Sequence, residues 1–386
     1  MGLHDATRCR CCPTTSRRLI MLFTSQDHAH MARALQLAQR GRFTTDPNPN
    51  VGCIIVGPDG STVAEGWHER AGEGHAEASA LSVAGTKAKG ATVYVTLEPC
   101  SHHGRTAPCA DALIAADVAR VVCAMEDPNP QVAGEGIKKL SAAGVEVQSG
   151  LLEAEARELN RGFVMRMERQ RPWVRAKLAV SLDGRTAMAT GESKWITGAA
   201  ARADVHRLRA ASSAMLTGSG TVLADDPQLN ARDIIAEVKQ PLRVVVDSRL
   251  RVQADAKIFS GDEAARVYYV SGSAADVARL EAAGAVVVQM PGLDGHVDLN
   301  AVMQDLAELQ INDVLVEAGP ALNGGLLAAG LLDELVVYQA AKIMGANASG
   351  MFTLGAIEAM SDSIELELVE TRRVGSDLRL TYRNSN

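Results

Sequence analysis

Apolar and polar positions in the first 130 residues alternate between helical and strand spacing. Met31, Leu35 and Ala38 share one face of a predicted helix that begins at Asp27 as its N-cap and ends at Gly41. Apolar runs between turn-forming residues predict strands at 51–56, 62–66, 91–97 and 121–125. Further helices are predicted at 75–81 and 109–119. This alternation of strands and helices is typical of a layered α/β sheet.

The alternation continues in the second half, after a charged stretch at 149–171 that is predicted to be helical. Apolar runs predict strands at 173–180, 214–217, 242–247, 267–270, 285–289 and 314–317. A helix is predicted at 199–211, and two hairpin-like strands at 364–371 and 377–382. We therefore place a domain boundary near residue 170, which gives domains at 21–170 and 171–386. Residues 1–20 lack apolar periodicity and are predicted to be a disordered extension.

Composition and charge narrow the classes of partner. A length of 386 residues favours two domains, and 47% hydrophobic with 22% charged residues is ordinary for a globular protein. Proteins that hold single-stranded nucleic acid use a positive groove and aromatic stacking platforms. A net charge of −7 and 3% aromatic residues argue against that class, so we expect no nucleic-acid partner. No apolar run approaches the ~20 residues of a membrane span, so no membrane partner is expected.

The seven cysteines are few and unevenly spaced. An odd number, without a recognisable secretion signal, favours a cytoplasmic protein over a disulfide framework. Cys9, Cys11 and Cys12 lie in the N-terminal extension, where a metal cluster is an alternative to unstructured chain.

One histidine and two cysteines point to a catalytic zinc site. His75, Cys100 and Cys109 are good zinc ligands, and three protein ligands leave the fourth tetrahedral position open for water. Glu77 follows the histidine by two residues and is placed to move a proton to and from that water. The order H-x-E, then P-C, then C is the signature of zinc-dependent base deaminases. Eight residues separate the two cysteines here, whereas nucleic-acid deaminases have a tight C-x-x-C.

Other interpretations of these residues stay open. A structural zinc knuckle needs a fourth ligand, for which His102 and His103 are the nearest candidates. The cysteines and histidine could instead be unrelated buried residues. A nucleic-acid-editing deaminase would need a basic groove and a tight cysteine pair. A zinc-stabilised binding protein without catalysis would have no use for the Glu77 carboxylate.

Longer motifs in both halves resemble the bifunctional riboflavin-biosynthesis RibD family. In the first half they are N-P-N-V-G-C at 48–53, G-E-G-H-A-E at 72–77 and T-L-E-P-C-S-H-H-G-R-T-A-P-C at 96–109. In the second half they are K-L-A-V-S-L-D-G-R at 177–185, G-E-S-K-W-I-T at 191–197, T-V-L-A-D-D-P at 221–227 and E-A-G-P at 317–320. The wide cysteine spacing is part of this family's pattern. The resemblance extends from about residue 27 to the C-terminus.

The resemblance implies two folds and two consecutive reactions. A cytidine-deaminase-like three-layer α/β/α domain would precede a dihydrofolate-reductase-like α/β domain. The first would deaminate 2,5-diamino-6-(5-phosphoribosylamino)pyrimidin-4(3H)-one, using one Zn²⁺ per chain. The second would use NADPH to reduce the ribosyl group of 5-amino-6-(5-phosphoribosylamino)uracil to ribityl. The expected partners are therefore a small phosphorylated pyrimidine and further copies of the chain, as a dimer or tetramer.

The resemblance also assigns residues to the two sites. The zinc ligands would be His75, Cys100 and Cys109, with Glu77 as the proton carrier. The substrate contacts of the first site would be Asn48, His68, His102 and Arg105. Those of the second would be Ser193, Arg209, Leu229, Arg232 and Glu317, and the cofactor contacts Ala179, Trp195, Thr221, Asp225 and Ser248. Asn48 could instead form an Asx-turn, and Arg105 could be a solvated loop cation.

Charged residues near the ends of apolar strands are costly unless they are paired or functional. Lys177 and Glu317 are such residues, and we expect them to polarise or protonate the sugar oxygen of the substrate. Asp225 is a further catalytic candidate. The alternative for Lys177 and Glu317 is that they form an ion pair with a purely structural role. For choosing NADPH over NADH, we expect Ser248 and Arg249 to contact the 2′-phosphate, with Arg251 close behind.

A glycine-rich turn between a predicted strand and helix adds a weaker signal. Gly319, Gly324 and Gly325 lie in it, and backbone amides at a helix N-terminus can bind phosphate. The turn is not G-x-G-x-x-G, so a Rossmann domain is not indicated.

Overall fold

The computed structural model describes residues 23–101, 108–130, 132–261 and 263–384. The predictions that lie outside these ranges concern residues 1–20, Cys9, Cys11, Cys12, His102, His103 and Arg105. The described chain forms one sheet of five strands and a second of nine. None of its described helices is both long and apolar enough to cross a lipid bilayer.

The first sheet lies within residues 52–149. Its strands are β1 Gly52–Val56, β2 Thr62–Trp67, β3 Thr92–Val95, β4 Arg120–Cys123 and β5 Glu146–Ser149. They lie in the order β2-β1-β3-β4-β5; β1 is antiparallel to β2 and β3, and the other pairs are parallel. The helices of this half are α1 Ser25–Ala38, α2 Ala76–Ala84, α3 Cys109–Ala115, α4 Glu135–Ala142, α5 Glu153–Leu159 and α6 Arg161–Arg169.

Side chains of β1 divide between two apolar cores. Cys53 and Ile55 pack in a cluster with residues of α2, α3 and α4. Ile54 and Val56 pack in another cluster, with residues of α1, α5 and α6. Successive strand residues point to opposite faces of a sheet, so an uninterrupted apolar strand needs cover on both sides. The first half is therefore a three-layer α/β/α arrangement, as the family resemblance implied, and the layered α/β sheet predicted from the residue pattern is confirmed.

The second sheet lies within residues 173–384. Its strands are β6 Trp173–Val180, β7 Ala214–Gly218, β8 Leu242–Val246, β9 Arg266–Tyr269, β10 Val286–Gln289, β11 Asp313–Val316, β12 Glu334–Gln339, β13 Leu366–Val374 and β14 Asp377–Asn384. Their order is β10-β9-β8-β7-β11-β6-β12-β14-β13. All pairs are parallel except the two that involve β14. The helices are α7 Ala199–Ala210, α8 Ser219–Asp225, α9 Ala274–Ala282, α10 Leu299–Glu308 and α11 Pro320–Ala328.

Both faces of the second sheet are also covered. Met215 and Val245 pack with residues of α7, α8 and α9, whereas Leu216 and Val244 pack with residues of α10 and α11. The chain runs outward from β7 to β10 and then returns, so that β11 lies between β7 and β6. Such a reversal leaves a crevice at the carboxyl ends of the strands, where ligands of α/β sheets bind.

Asp27 is not the N-cap of the first helix, as the pattern predicted. The N-cap is Thr24, whose hydroxyl accepts the backbone N–H of Asp27 while the Asp27 carboxylate accepts the N–H of Thr24. The second carboxylate oxygen of Asp27 accepts hydrogen bonds from Tyr94 on β3 and Arg120 on β4. Asp27 therefore joins the helix to the sheet, a role that a local pattern does not distinguish from capping.

The single helix predicted at 149–171 is also wrong. β5 ends at Ser149, and α5 and α6 are separate helices that meet at Asn160. The Asn160 side chain forms hydrogen bonds with both the N–H and the C=O of Asn50, which fixes this junction against the start of β1. The pattern also missed β5 and β12.

Candidate active sites

Three elements bring His75, Cys100 and Cys109 together. His75 is the N-cap of α2, Cys109 is the first residue of α3, and Cys100 lies in the segment after β3. Nδ1 of His75 lies 3.5 Å from Sγ of Cys100 and 3.4 Å from Sγ of Cys109. Tetrahedral zinc, with Zn–S of about 2.3 Å and Zn–N of about 2.0 Å, requires an N···S separation of roughly 3.5 Å. The cluster therefore fits zinc as it stands, with Nδ1 as the histidine ligand atom.

Contacts inside the cluster separate the proton affinities of the two thiols. The hydrogen bond between the cysteines lowers the pKa of Cys100 to about 4; burial opposes this change and the imidazole of His75 adds to it. The same bond, together with burial, raises the pKa of Cys109. The backbone N–H of Cys109 also donates to Sγ of Cys100 over 3.3 Å. Zinc prefers thiolate ligands, so binding of the metal must release the proton that Cys109 keeps.

Glu77 is a buried carboxyl group in the first turn of α2, with 3% of its surface exposed. Burial raises its pKa to about 7, although the nearby His75 acts in the opposite direction. It does not belong to the three-residue group whose ligand atoms lie within 4.8 Å of one another. A carboxyl group with a pKa near neutrality suits proton transfer better than metal binding.

Glu98 is a buried residue to which the sequence analysis gave no role. Its carboxylate accepts four backbone N–H groups, from Asp127, Gly134, Gly136 and Ile137, over 2.8 to 3.2 Å. These bonds tie the segment before Cys100 to the N-terminal turn of α4, where a negative charge is favourable. The only sequence signal was a carboxylate directly before P-C.

Asn48 and His68 lie together beside the cluster. Nδ2 of Asn48 donates to Nε2 of His68 over 3.1 Å, so His68 carries its proton on Nδ1, which donates to the Gly74 carbonyl over 3.0 Å. Burial lowers the pKa of His68, which favours this neutral form. The ring centroids of His68 and His75 are 5.5 Å apart. The Asn48 side chain therefore bonds His68. In an Asx-turn it would instead bond the backbone of its own segment, so that alternative does not describe Asn48.

The second sheet holds a cleft of about 2020 Å³ at the carboxyl ends of its central strands. Two residues that the sequence predicted for the second site, Arg249 and Gly324, do not line it. The others do: Lys177, Ala179, Ser193, Trp195, Arg209, Thr221, Asp225, Leu229, Arg232, Ser248, Glu317, Gly319 and Gly325. Ligand pockets usually measure roughly 300–1,000 Å³, so this cleft has room for a dinucleotide beside a second molecule.

Glu317 forms a charge cluster with two basic residues at the floor of the cleft. Its carboxylate lies 3.0 Å from Nζ of Lys177 and accepts two hydrogen bonds from Arg209, at 2.6 and 3.0 Å. Burial by itself would raise the pKa of Glu317, but the two cations outweigh it and lower the pKa to about 2. Glu317 is therefore ionised at neutral pH and has no proton to donate.

The glycine-rich turn is mostly helix. Gly319 is the N-cap of α11, and the first helical residue is Pro320, which has no N–H to offer a phosphate. Gly324 and Gly325 lie inside the helix. A Cβ on Gly324 would lie 2.0 Å from the carbonyl oxygen of Thr353, so close packing requires glycine there. Phosphate binding was expected at the helix N-terminus, and of these three glycines only Gly319 lies there.

The sequence analysis missed one residue of the cleft, His206, and placed another, Arg249, there wrongly. His206 lies one turn before Arg209 on α7 and is buried, and its Nδ1 has no hydrogen-bond partner among the described residues. Arg249, which the sequence favoured beside Ser248, does not border the cleft, whereas Arg251 does. Nη2 of Arg251 donates a hydrogen bond to Oγ of Ser219 over 2.8 Å. A histidine three residues before a predicted substrate arginine was the available signal for His206.

Fold and zinc cluster together define the first half as a zinc-dependent deaminase of the cytidine-deaminase class. Residues 24–125 match the family model of the cytidine and deoxycytidylate deaminase zinc-binding region. Residues 172–380 match the model of the RibD C-terminal domain, more than half of the chain.

Relatives and solved structures match the chain over nearly its whole length. The riboflavin biosynthesis protein RibD of Escherichia coli is 52% identical over 92% of this chain and 98% of its own, and that of Haemophilus influenzae is 47% identical over 93% and 98%. A solved structure of Acinetobacter baumannii RibD has a TM-score of 0.87 at 44% identity and covers 94% of this chain and 99% of its own. The diaminohydroxyphosphoribosylaminopyrimidine deaminase/5-amino-6-(5-phosphoribosylamino)uracil reductase of Thermotoga maritima has a TM-score of 0.80 at 32% identity, over 93% and 99%. The chain belongs to the RibD family of bifunctional deaminase/reductases of riboflavin biosynthesis.

Proposed function

We propose that this enzyme deaminates 2,5-diamino-6-(5-phosphoribosylamino)pyrimidin-4(3H)-one and then reduces the ribosyl group of 5-amino-6-(5-phosphoribosylamino)uracil with NADPH. The observation that carries the proposal is the presence of two separate sites in one chain, a zinc-fitting cluster in the first sheet's half and a charged cleft in the second. We assign the first step to residues 21–170 and the second to 171–386, with residues 1–20 dispensable. The two sheets, within 52–149 and 173–384, support this division.

In the first site, the chain's own residues move the proton and hold the ring. Zinc bound to His75, Cys100 and Cys109 would supply Lewis acidity that makes water nucleophilic near neutral pH. Glu77 takes the proton from that water and delivers it to the departing amine, for which a pKa of about 7 is suited. Asn48 holds the pyrimidine, with its amide oriented by neutral His68. His102 and Arg105 are proposed as further substrate contacts.

In the second site, Lys177 is the proposed proton donor. NADPH would supply the hydride to the sugar carbon. The ammonium of Lys177 gives a proton to the sugar oxygen, and ionised Glu317 holds that ammonium in place over 3.0 Å. Arg209 holds Glu317 through two further hydrogen bonds, one to each carboxylate oxygen. A purely structural ion pair would share this geometry but would leave the reduction unchanged when Glu317 loses its charge.

The rim of the cleft supports a phosphorylated substrate and a dinucleotide. Arg232 is half exposed there. Its Nη1 donates to Oδ1 of Asn230 over 2.9 Å and its ion-pair partner Asp233 is 3.9 Å away, so the outer N–H groups of the guanidinium can still reach a phosphate. We assign Ser193, Leu229 and Arg232 to the substrate. The proposed cofactor contacts are Ala179, Trp195, Thr221, Asp225, Ser248 and Gly319, with Gly325 at their edge.

An exposed sheet edge supports the expected homo-oligomer, a dimer or tetramer. β13 is the last strand in the order of the second sheet, and Leu368 and Val369 on it are 53% and 44% exposed. An apolar edge strand is a ready surface for pairing with another chain. Light scattering of the purified protein would give the mass of the assembly, and a monomeric mass would contradict the proposal.

Purified enzyme with the diaminopyrimidine phosphate and NADPH tests the function directly. We expect mass spectrometry to show replacement of one amine by a carbonyl, followed by a gain of two hydrogens when NADPH is present. Removal of zinc should stop the first change only, since supplied uracil substrate should still be reduced. Failure to convert either compound by the zinc-loaded protein would contradict the assignment.

A further inference from the structure

The segment that leads into Asn48 is held by the second domain. The backbone N–H of Lys239 donates to the carbonyl of Phe43 over 2.9 Å. Nζ of the same lysine lies 3.1 Å from the carboxylate of Asp46. Lys239 belongs to the connection between α8 and β8, so these contacts join the two halves of the protein.

Asp46 is also bonded to the amino ends of two central strands of the second sheet. Its other carboxylate oxygen accepts from Oγ of Ser213 over 2.6 Å and from Nδ2 of Asn312 over 3.1 Å. Ser213 and Asn312 directly precede β7 and β11. Oγ of Ser213 in turn accepts the backbone N–H groups of Asn312 and Asp313, both at 3.1 Å. Asp46 is therefore fixed to two neighbouring central strands of the second sheet.

The next residue, Pro47, is fixed by the same asparagine. Its carbonyl accepts from Nδ2 of Asn312 over 3.0 Å and from Arg166 of α6 over 3.4 Å. Arg166 also donates to Oδ1 of Asn312 over 2.7 Å, so the asparagine, which is only 5% exposed, is held on both sides of its amide. Its orientation is thereby defined.

Asn48 follows immediately. Its backbone N–H donates to the carbonyl of Thr45, and its amide donates to His68 beside the zinc cluster. One peptide unit spans about 3.8 Å and has only two soft dihedral angles. A displacement of Asp46 or Pro47 therefore cannot be absorbed before it reaches the Asn48 amide.

We propose that Asp46, with its partners Ser213, Asn312 and Lys239, forms a set of positioning residues through which the second domain places Asn48 for deamination. The proposal rests on the proposed function, because it takes Asn48 as a substrate contact. The first site is then complete only when the second sheet is folded against it. Displacement of a substrate-positioning group by about 1 Å can cost up to about a hundredfold in kcat/KM, and where the group only holds the substrate this cost falls on KM.

Full-length Asp46→Ala tests the proposal through the kinetics of deamination. We expect the KM for the diaminopyrimidine phosphate to rise about tenfold, as loss of a charge-assisted bond network implies. The kcat, the zinc content and the rate of reduction should stay within about twofold of the parent, since Glu77 and the metal ligands are untouched. Asp46→Asn keeps an oxygen for Ser213 and Asn312 and should recover most of the affinity. Lys239→Met, at a half-exposed position, should give a smaller rise of the same kind and serves if Asp46→Ala does not fold.

Glu158→Gln is the matched control. Glu158 is half exposed and pairs with Arg383 of β14, so it also joins the two halves, but no hydrogen bond or ion pair links it to residues 43–48. Its substitution should leave the deamination KM unchanged. An equal rise in this control, or loss of zinc or of reduction in Asp46→Ala, would show that the contacts only hold the domains together and would overturn the proposal.

Asn48→Ala separates the inference from the function on which it rests. An unchanged KM in this variant would refute the substrate role of Asn48 and with it the proposed contact. A raised KM in Asn48→Ala beside an unchanged KM in Asp46→Ala and Lys239→Met would leave the proposed function standing and refute the positioning role alone.

Discussion

Replacement of Glu317 by glutamine should destabilise the second domain at neutral pH and stop reduction. The carboxylate is only 11% exposed and is the shared partner of Lys177 and Arg209. Glutamine has nearly the same shape but no charge, so the two cations would remain buried beside each other. Removal of one partner from a buried ion pair is costly for this reason, even where the intact pair contributes little.

The pKa of Glu317 gives the size of the effect. At about 1.4 kcal/mol for each pKa unit, a decrease from the ordinary 4.5 to about 2 corresponds to about 3 kcal/mol. The folded-state pKa is the lower one, so the ionised carboxylate stabilises the folded protein fully above pH 4.5. This contribution is lost as the pH falls from 4.5 towards 2.

Urea unfolding of the parent and of Glu317→Gln, followed by tryptophan fluorescence from pH 7 down to pH 3, measures this contribution. The difference in free energy of unfolding should be about 3 kcal/mol at pH 7 and shrink below pH 5. Asp225→Asn is the control, because its ion pair with Lys194 is partly exposed and should contribute less than about 1 kcal/mol. Equal stabilities of Glu317→Gln and the parent, or a difference that does not change with pH, would refute the electrostatic account.

The remaining predictions concern the proton carrier, the cofactor and the domains. Glu77→Gln should lower the deamination kcat by at least about a hundredfold, while zinc content and reduction persist; loss of zinc would mean that Glu77 supports the metal instead. Arg251→Ala should raise the KM for NADPH by about tenfold, as loss of a charge-assisted bond implies, and leave that for NADH unchanged. Arg249→Ala, outside the cleft, should change neither constant, and equal weakening of both cofactors by Arg251→Ala would exclude recognition of the 2′-phosphate. A fragment of residues 171–386 lacks α6, from which Arg161 forms an ion pair with the buried Glu334 of β12. It should therefore unfold at a lower urea concentration than a fragment of residues 150–386. Equal unfolding midpoints would show that the boundary near 170 leaves a complete domain.

The sequence determined the zinc cluster and the layers of the first domain because both depend on short stretches of chain. His75 and Cys109 each begin a helix, and the cluster needs only that the two helix starts and the end of β3 meet at one edge. The unbroken apolar run of β1 required cover on both faces. The second-site residues could be named from the family resemblance, and most of them border one cleft.

The tertiary structure alone decided which partners the charged residues have. Glu317 meets an arginine 108 positions away, and Asp46 meets groups 167, 193 and 266 positions away. Such pairs depend on which strand ends become neighbours. The strand order is set by packing of the whole sheet, so the local sequence around either residue does not predict the pairing. Whether Glu317 is a proton donor or an ionised anchor, and whether Arg249 or Arg251 faces the cleft, follows from burial and neighbours rather than from residue type.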